Sequence, residues 1–160
     1  MKNIFLKTIF MAVVLTLTIQ ANSMIKNSTD IKKAGKPIMM LFSTKTCAYC
    51  DLFKKDLKNH KELNSLAKDF DIYEIKRDEQ HSYTMWGEPT NLKTLEMTFA
   101  IKATPNTIIF DKIGRKIWQV PGYANPAIMV PYLKFVKGLD SGKYEITKWR
   151  EFLKKEGIIK

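Results

Sequence analysis

The stretch Pro37-Ile38-Met39-Met40-Leu41-Phe42, followed four residues later by Cys47-Ala48-Tyr49-Cys50 and then by Asp51-Leu52-Phe53-Lys54-Lys55-Asp56-Leu57, decides how this chain is read. The first run is apolar and uncharged, which predicts a strand buried on both faces. In the last run Leu52, Phe53 and Leu57 recur at helical spacing. The C-x-x-C lies between them, in the first turn of the predicted helix. A helix N-terminus presents unpaired backbone N–H groups and about half a positive charge. Both favour a thiolate over a thiol, and the thiolate is the nucleophile. The chain has two cysteines in all, so none is left for a structural framework. The pair reads as a dithiol that cycles.

Three other uses of the pair are weaker. A disulfide across two intervening residues closes too small a loop to remove much unfolded-state entropy. Structural zinc needs four ligands, and His60 and His81 stand in no ligand spacing relative to the pair. A copper-binding delivery module remains the alternative from another class, because soft thiolates suit cuprous copper and one distal histidine could join them. No metal and no cofactor beyond a redox-active Cys47–Cys50 disulfide is expected.

At 160 residues, with 45% hydrophobic content, the chain is one domain with a real core. Its formal charge is +11, but the charge is carried by scattered lysines, and Arg77, Arg115 and Arg150 are the sole arginines. Nucleic-acid readers use arginine for bidentate contacts. No basic block interleaved with aromatics occurs, so nucleic acid is not an expected partner and the lysines read as a solvated surface. Residues 1–23 read as a signal peptide: Lys2 and Lys7, then an uncharged apolar stretch from Thr8 to Ile19, then Ala21-Asn22-Ser23 as a cleavage site. That apolar core is shorter than the roughly 20 residues of a membrane span. An exported protein without stable membrane insertion after cleavage is therefore expected, in an oxidising compartment that suits a lone C-x-x-C.

Residues 24–36 read as a polar linker with a short helical turn around Asp30-Ile31-Lys32-Lys33, and residues 37–158 as the folded domain. Phe70 to Ile75 alternates as a second strand, with Phe70, Ile72 and Glu74 on one side. Lys76 to Asn91 turns polar, and Leu92 to Ile101 recovers helical periodicity. Thr107 to Phe110 and Lys116 to Val120 form a hairpin. Asn125-Pro126 caps a helix that runs to about Lys137 with Pro131 inside it. Gly138 to Lys143 reads as a loop, and Thr147 as the cap of a last helix bearing Trp149, Phe152 and Leu153.

Strand, C-x-x-C helix, strand, helix, hairpin and helix is the element order of the thioredoxin fold. Cys47-Ala48-Tyr49-Cys50, Ala103-Thr104-Pro105-Asn106 before a strand, Phe110-Asp111-Lys112-Ile113-Gly114 and Pro121-Gly122-Tyr123 resemble the thioredoxin-like proteins of the bacterial periplasm. The Pro-Gly-Tyr and the tail from Gly142-Lys143-Tyr144 to Trp149-Arg150-Glu151-Phe152-Leu153 are similar to their SoxW-type, thioredoxin-related branch. The resemblance covers Ile31 to Gly157. It implies an α/β fold with a central mixed sheet of four to five strands flanked by helices, an insertion before a cis proline, and an extra C-terminal helix.

The same resemblance implies a thiol–disulfide oxidoreductase, a reductase of disulfides in exported proteins of a Gram-negative periplasm. Cys47 would be the nucleophile and Cys50 the resolving thiol. Ala48, Tyr49, Thr104 and Pro105 would contact substrate, with a cis Thr104–Pro105 bond turning the Thr104 backbone outward. A membrane protein would re-reduce the pair, and a monomer is expected. Oxidase or isomerase activity is the alternative within the class. Thioredoxin carries a buried Asp at the position of Leu41 and a tryptophan at that of Thr46. The proton acceptor for Cys50 must therefore lie elsewhere, and Glu74, in an otherwise apolar strand beside the cysteine strand, is the candidate acid/base.

Overall fold

The computed structural model describes residues 24–160; the expected signal peptide, residues 1–23, lies outside them. The described chain opens with two short strands, β1 (Ile25–Lys26) and β2 (Asp30–Ile31), followed by β3 (Ile38–Ser43). Helices α1 (Ala48–Asn59) and α2 (Lys61–Ala67) come next, then β4 (Asp71–Lys76) and a hairpin of β5 (Ser82–Met85) and β6 (Glu88–Asn91). Helix α3 (Leu92–Thr98) leads to β7 (Asn106–Phe110) and β8 (Lys116–Pro121). The chain closes with α4 (Pro126–Asp140), a 3-10 turn at Ile146–Lys148, and α5 (Trp149–Lys155).

The main sheet has five strands in the order β1-β4-β3-β7-β8. Strand β3 runs parallel to β4 and antiparallel to β7. Its alternating side chains feed two cores. Met39 and Leu41 pack with Phe53 and Leu57 of α1, Leu63 of α2, and Met129, Leu133 and Val136 of α4. Ile38, Met40 and Phe42 pack on the other side with Ile31, Tyr83, Leu95 and Phe99. A second sheet, ordered β2-β5-β6, and α3 cover that second face. The mixed α/β architecture and its five-stranded sheet are as expected.

Three local expectations are corrected. The turn around Asp30–Lys33 is not helical: Ile25 and Ile31 enter parallel ladders, opposite Ile72 and Met85, and Ile31 is fully buried. A β-branched side chain gains more from that burial than two residues could gain from an isolated helical turn. The polar segment after Lys76 is not all loop. Strands β5 and β6 are joined by Trp86 and Gly87, both at positive φ, the conformation that matches a tight hairpin turn to strand twist. Thr147 does not cap α5 but lies in the 3-10 turn before it.

Helix α4 also runs past Lys137 and through Gly138. A Cβ at Gly138 would stand 2.1 Å from the Tyr144 ring, which stacks in turn on Phe135. The glycine is there because the ring sits on its Cα. Gly138→Ala is expected to lower stability by about 1–3 kcal/mol, as overpacking does. In urea unfolding it should move the midpoint and leave the slope unchanged.

Candidate active site around Cys47 and Cys50

Three strand ends meet at one edge of the main sheet. Strand β3 ends at Ser43, and its register sets Phe42 opposite Asn106 at the start of β7 and Ser43 opposite Lys76 at the end of β4. The cysteine loop, the Thr104–Pro105 segment and the loop after β4 therefore leave the sheet side by side. The loops are laced together: the Arg77 N–H donates to Ser43 O at 2.8 Å, and the Lys45 N–H donates to Asp78 Oδ2 at 2.8 Å.

Cys47 is the N-cap of α1, and its Sγ accepts from the Cys50 N–H at 3.1 Å. The two cysteines are joined as a disulfide. Cys50, one helical turn in, is 0% exposed, and Cys47 retains 9%. Ala48 and Tyr49 are exposed between them. A sulfur at an N-cap faces the free N–H groups of the first turn, so a charge on Cys47 is stabilised where it forms. Lys45 adds little to this, because its ammonium lies 3.6 Å from Glu79. Glu79 itself is drawn down to about 2 by hydrogen bonds, first from His81 and then from Lys76.

The Thr104–Pro105 bond is cis. Pro105 is buried and Thr104 half-buried, and Pro105 O accepts from the Gly122 N–H at 2.8 Å. That bond brings the Pro-Gly-Tyr segment to the same edge. The Tyr123 ring then stacks on Tyr49, with centroids 5.9 Å apart and planes at 25°, and its hydroxyl donates to Asp56 Oδ2 at 2.5 Å.

Leu41 is fully buried among apolar side chains. Glu74 is its register partner on β4 and so points to the same face of the sheet, toward α1. Its Oε1 accepts from Ser43 Oγ at 2.7 Å and from Lys54 Nζ at 3.2 Å, not from either cysteine. Burial opposes the Lys54 charge, but hydrogen bonds to Asp51 and Glu74 outweigh it and raise its pKa. The histidines are engaged elsewhere: His60 Nδ1 caps α2 by accepting from the Leu63 N–H, and His81 pairs with Glu79. Among the described residues no three His, Cys, Asp or Glu side chains are grouped to hold a metal ion.

The structure thus brings Cys47, Cys50, Tyr49 and the Thr104–Pro105 segment to one edge, and sets Glu74 one strand away with Ser43 and Lys54. Sequence reading missed Asp56 and Tyr123 as site residues. The Pro-Gly-Tyr motif marked Tyr123 without a role, and nothing in the sequence paired it with Asp56.

Comparison with known proteins matches residues 26–137 to a family model described as a thioredoxin-like domain. A thioredoxin-fold protein from Helicobacter pylori is 25% identical, covering 84% of this chain and 92% of that one, with a TM-score of 0.66. A thioredoxin-like protein from Clostridium perfringens is 22% identical over 77% of this chain and 90% of its own, with a TM-score of 0.50, and shares the fold. Among curated proteins no match is found. The fold and the bonded Cys47–Cys50 pair support a thiol–disulfide redox role.

The difference in burial gives a direct check. After reduction, a small alkylating reagent near neutral pH is expected to modify Cys47 first, read by peptide mass mapping at partial reaction. Modification of Cys50 first would reverse the two roles.

Proposed function

The chain belongs to the thioredoxin-like domain family, and we propose that it is a thiol–disulfide oxidoreductase that reduces disulfides in exported proteins. The observation that carries this reading is the redox pair itself: an N-cap sulfur at Cys47 with a fully buried Cys50 one turn behind it. The Cys47 thiolate attacks one sulfur of the partner's disulfide, and the other partner sulfur leaves as a thiolate that takes a proton. Cys50 then gives up its proton and attacks Cys47 Sγ, which breaks the mixed disulfide and releases the second partner thiol. Two electrons and two protons pass to the partner, and the Cys47–Cys50 disulfide remains. A separate dithiol donor, expected in the membrane, restores the reduced pair.

Reduction rather than oxidation is favoured by the local charges. A strong oxidant must stabilise its reduced form through the thiolate. Here Ala48 and Tyr49 are uncharged, Lys45 is paired with Glu79, and Asp78 lies against the Lys45 N–H. The helix terminus is left as the main stabiliser of the thiolate, so the dithiol is a good donor. The motifs shared with SoxW-type proteins and the leader-like residues 1–23 support a periplasmic setting.

Equilibration with glutathione is the test of direction. A potential nearer thioredoxin's −270 mV than the −120 mV of the strongest periplasmic oxidant is expected. The opposite result would make the chain an oxidase.

We assign Glu74 the proton acceptor for Cys50. The support is its register beside Leu41, on the face of the sheet that packs against the cysteine helix. Glu74→Gln is then expected to slow disulfide reduction about a hundredfold near neutral pH, at the low end of general-base effects. The two rates should converge as pH rises, because hydroxide takes over the proton. A parallel pH profile in the variant would leave Glu74 as a structural partner of Lys54.

A further inference from the structure

Tyr49 and Asp56 lie seven residues apart on α1, two turns along one face, about 10 Å in rise. Tyr123 spans that interval, with its ring stacked on Tyr49 and its hydroxyl on Asp56. Tyr49 is nevertheless 63% exposed. A large ring in the C-x-x-C has therefore one face fixed by the protein and the rest open to solvent, beside the reactive sulfur. Leu52, one turn further along the same side of α1, is partly exposed as well.

From this we infer that Tyr123, anchored by Asp56, is a positioning residue that sets Tyr49 as an aromatic docking platform for protein substrates. The occupant is an extended polypeptide segment with an aromatic or large aliphatic side chain next to the half-cystine under attack. This rests on the proposed reductase reading. Two observations carry it beyond that reading. First, a carboxylate–phenol hydrogen bond is a strong, directional anchor, and it is made to a residue whose ring lies between the main core and the exposed Tyr49 ring. Asp56 raises the Tyr123 pKa to about 12, ahead of the effects of burial, so the hydroxyl remains a donor at neutral pH. Second, the Gly122 N–H to Pro105 O bond ties the Tyr123 segment to the Thr104–Pro105 segment. The platform thus lies at the edge shared by the disulfide and the half-buried Thr104, where a chain pairing with that edge would meet it.

The physical gain is preorganisation. An exposed tyrosine free to change rotamer would lose that freedom on binding, whereas a ring already stacked loses little. A small disulfide, with no apolar side chain to place on the ring, gains nothing from it. The platform therefore discriminates between classes of disulfide rather than accelerating the exchange itself.

The test compares kcat/KM for insulin reduction with kcat/KM for oxidised glutathione, both driven by dithiothreitol, in the full chain and in Tyr123→Phe and Asp56→Asn. Tyr123→Phe keeps the ring in the core, and Asp56→Asn keeps the helix, so both should fold; thermal melts check this. The insulin-to-glutathione ratio is expected to fall roughly two- to tenfold, the range of an aromatic pair, with the loss mainly in KM for insulin. In a spectroscopic titration the tyrosinate transition near 12 should be lost in both variants. A ratio unchanged in both variants would overturn the platform, whether both rates fall together or neither does. So would a Tyr123 transition, the one that Tyr123→Phe removes, that stays near 12 in Asp56→Asn. Wild-type protein inactive on both substrates would overturn the reductase reading on which the platform rests, a result distinct from an unchanged ratio in an active enzyme.

Discussion

Burial of β3 on both faces is the constraint on which the rest depends. Ile38 through Phe42 are all 0% exposed, so each residue is committed to one of two cores and the strand cannot slip. A shift of one residue would exchange Met39 and Leu41 with Met40 and Phe42 between cores of different shape. Fixed register has a chemical consequence. It decides that β4 and β7 have their site-forming ends where β3 releases the cysteine loop, and so that Cys47, Thr104–Pro105 and Asp78 share one edge. The site is a by-product of hydrophobic registration.

The central part of this was legible because it rests on strong local signals. An uncharged apolar run, a lone C-x-x-C and an Asn-Pro helix start each read correctly from nearby residues. What was missed depends on distant partners. Strands β1 and β2 have two residues each, too few for periodicity, and exist because Ile25 and Ile31 find ladders on β4 and β5. Strand β6 contains Pro89, which reads as a breaker but is tolerated on the edge of its sheet. Gly138 reads as a helix stop, yet the ring that needs its bare Cα is contributed by Tyr144 beyond the helix. At the site, the cysteines were plain, but Tyr123 and Asp56 are 67 residues apart and no pattern joins them.

The insertion before Pro105 acquires a role from the same accounting. With no helix in the described residues ahead of β3, the face carrying Ile38, Met40 and Phe42 needs another cover. Strand β5, α3 and the residue that ends it supply Tyr83, Leu95 and Phe99 for it, and the Trp86 ring packs edge-on against Phe110. The segment that read as polar and uninformative is thus the lid of a core. Its leading loop, Arg77 to Glu79, also pins the cysteine loop through Ser43 O and the Lys45 N–H, so core cover and active-site loop are one continuous device.

That loop also sets the sign of the local field. A formal charge of +11 suggests surroundings that would stabilise any thiolate, but charge acts by distance, and beyond a Debye length of about 8 Å exposed lysines are screened. Close to Cys47, the Lys45 ammonium faces Glu79 and the Asp78 carboxylate sits on the Lys45 backbone. Net positive charge can then attract acidic partners at long range while the sulfur itself sees a nearly balanced neighbourhood. Leu41 keeps the central strand apolar up to Ser43, and its register neighbour Glu74 carries a carboxylate one strand outward, held by Ser43 and by Lys54 from the helix that bears the cysteines. Because Lys54 follows Cys50 by one helical turn, any movement of that turn during exchange would be felt at the Glu74 ion pair.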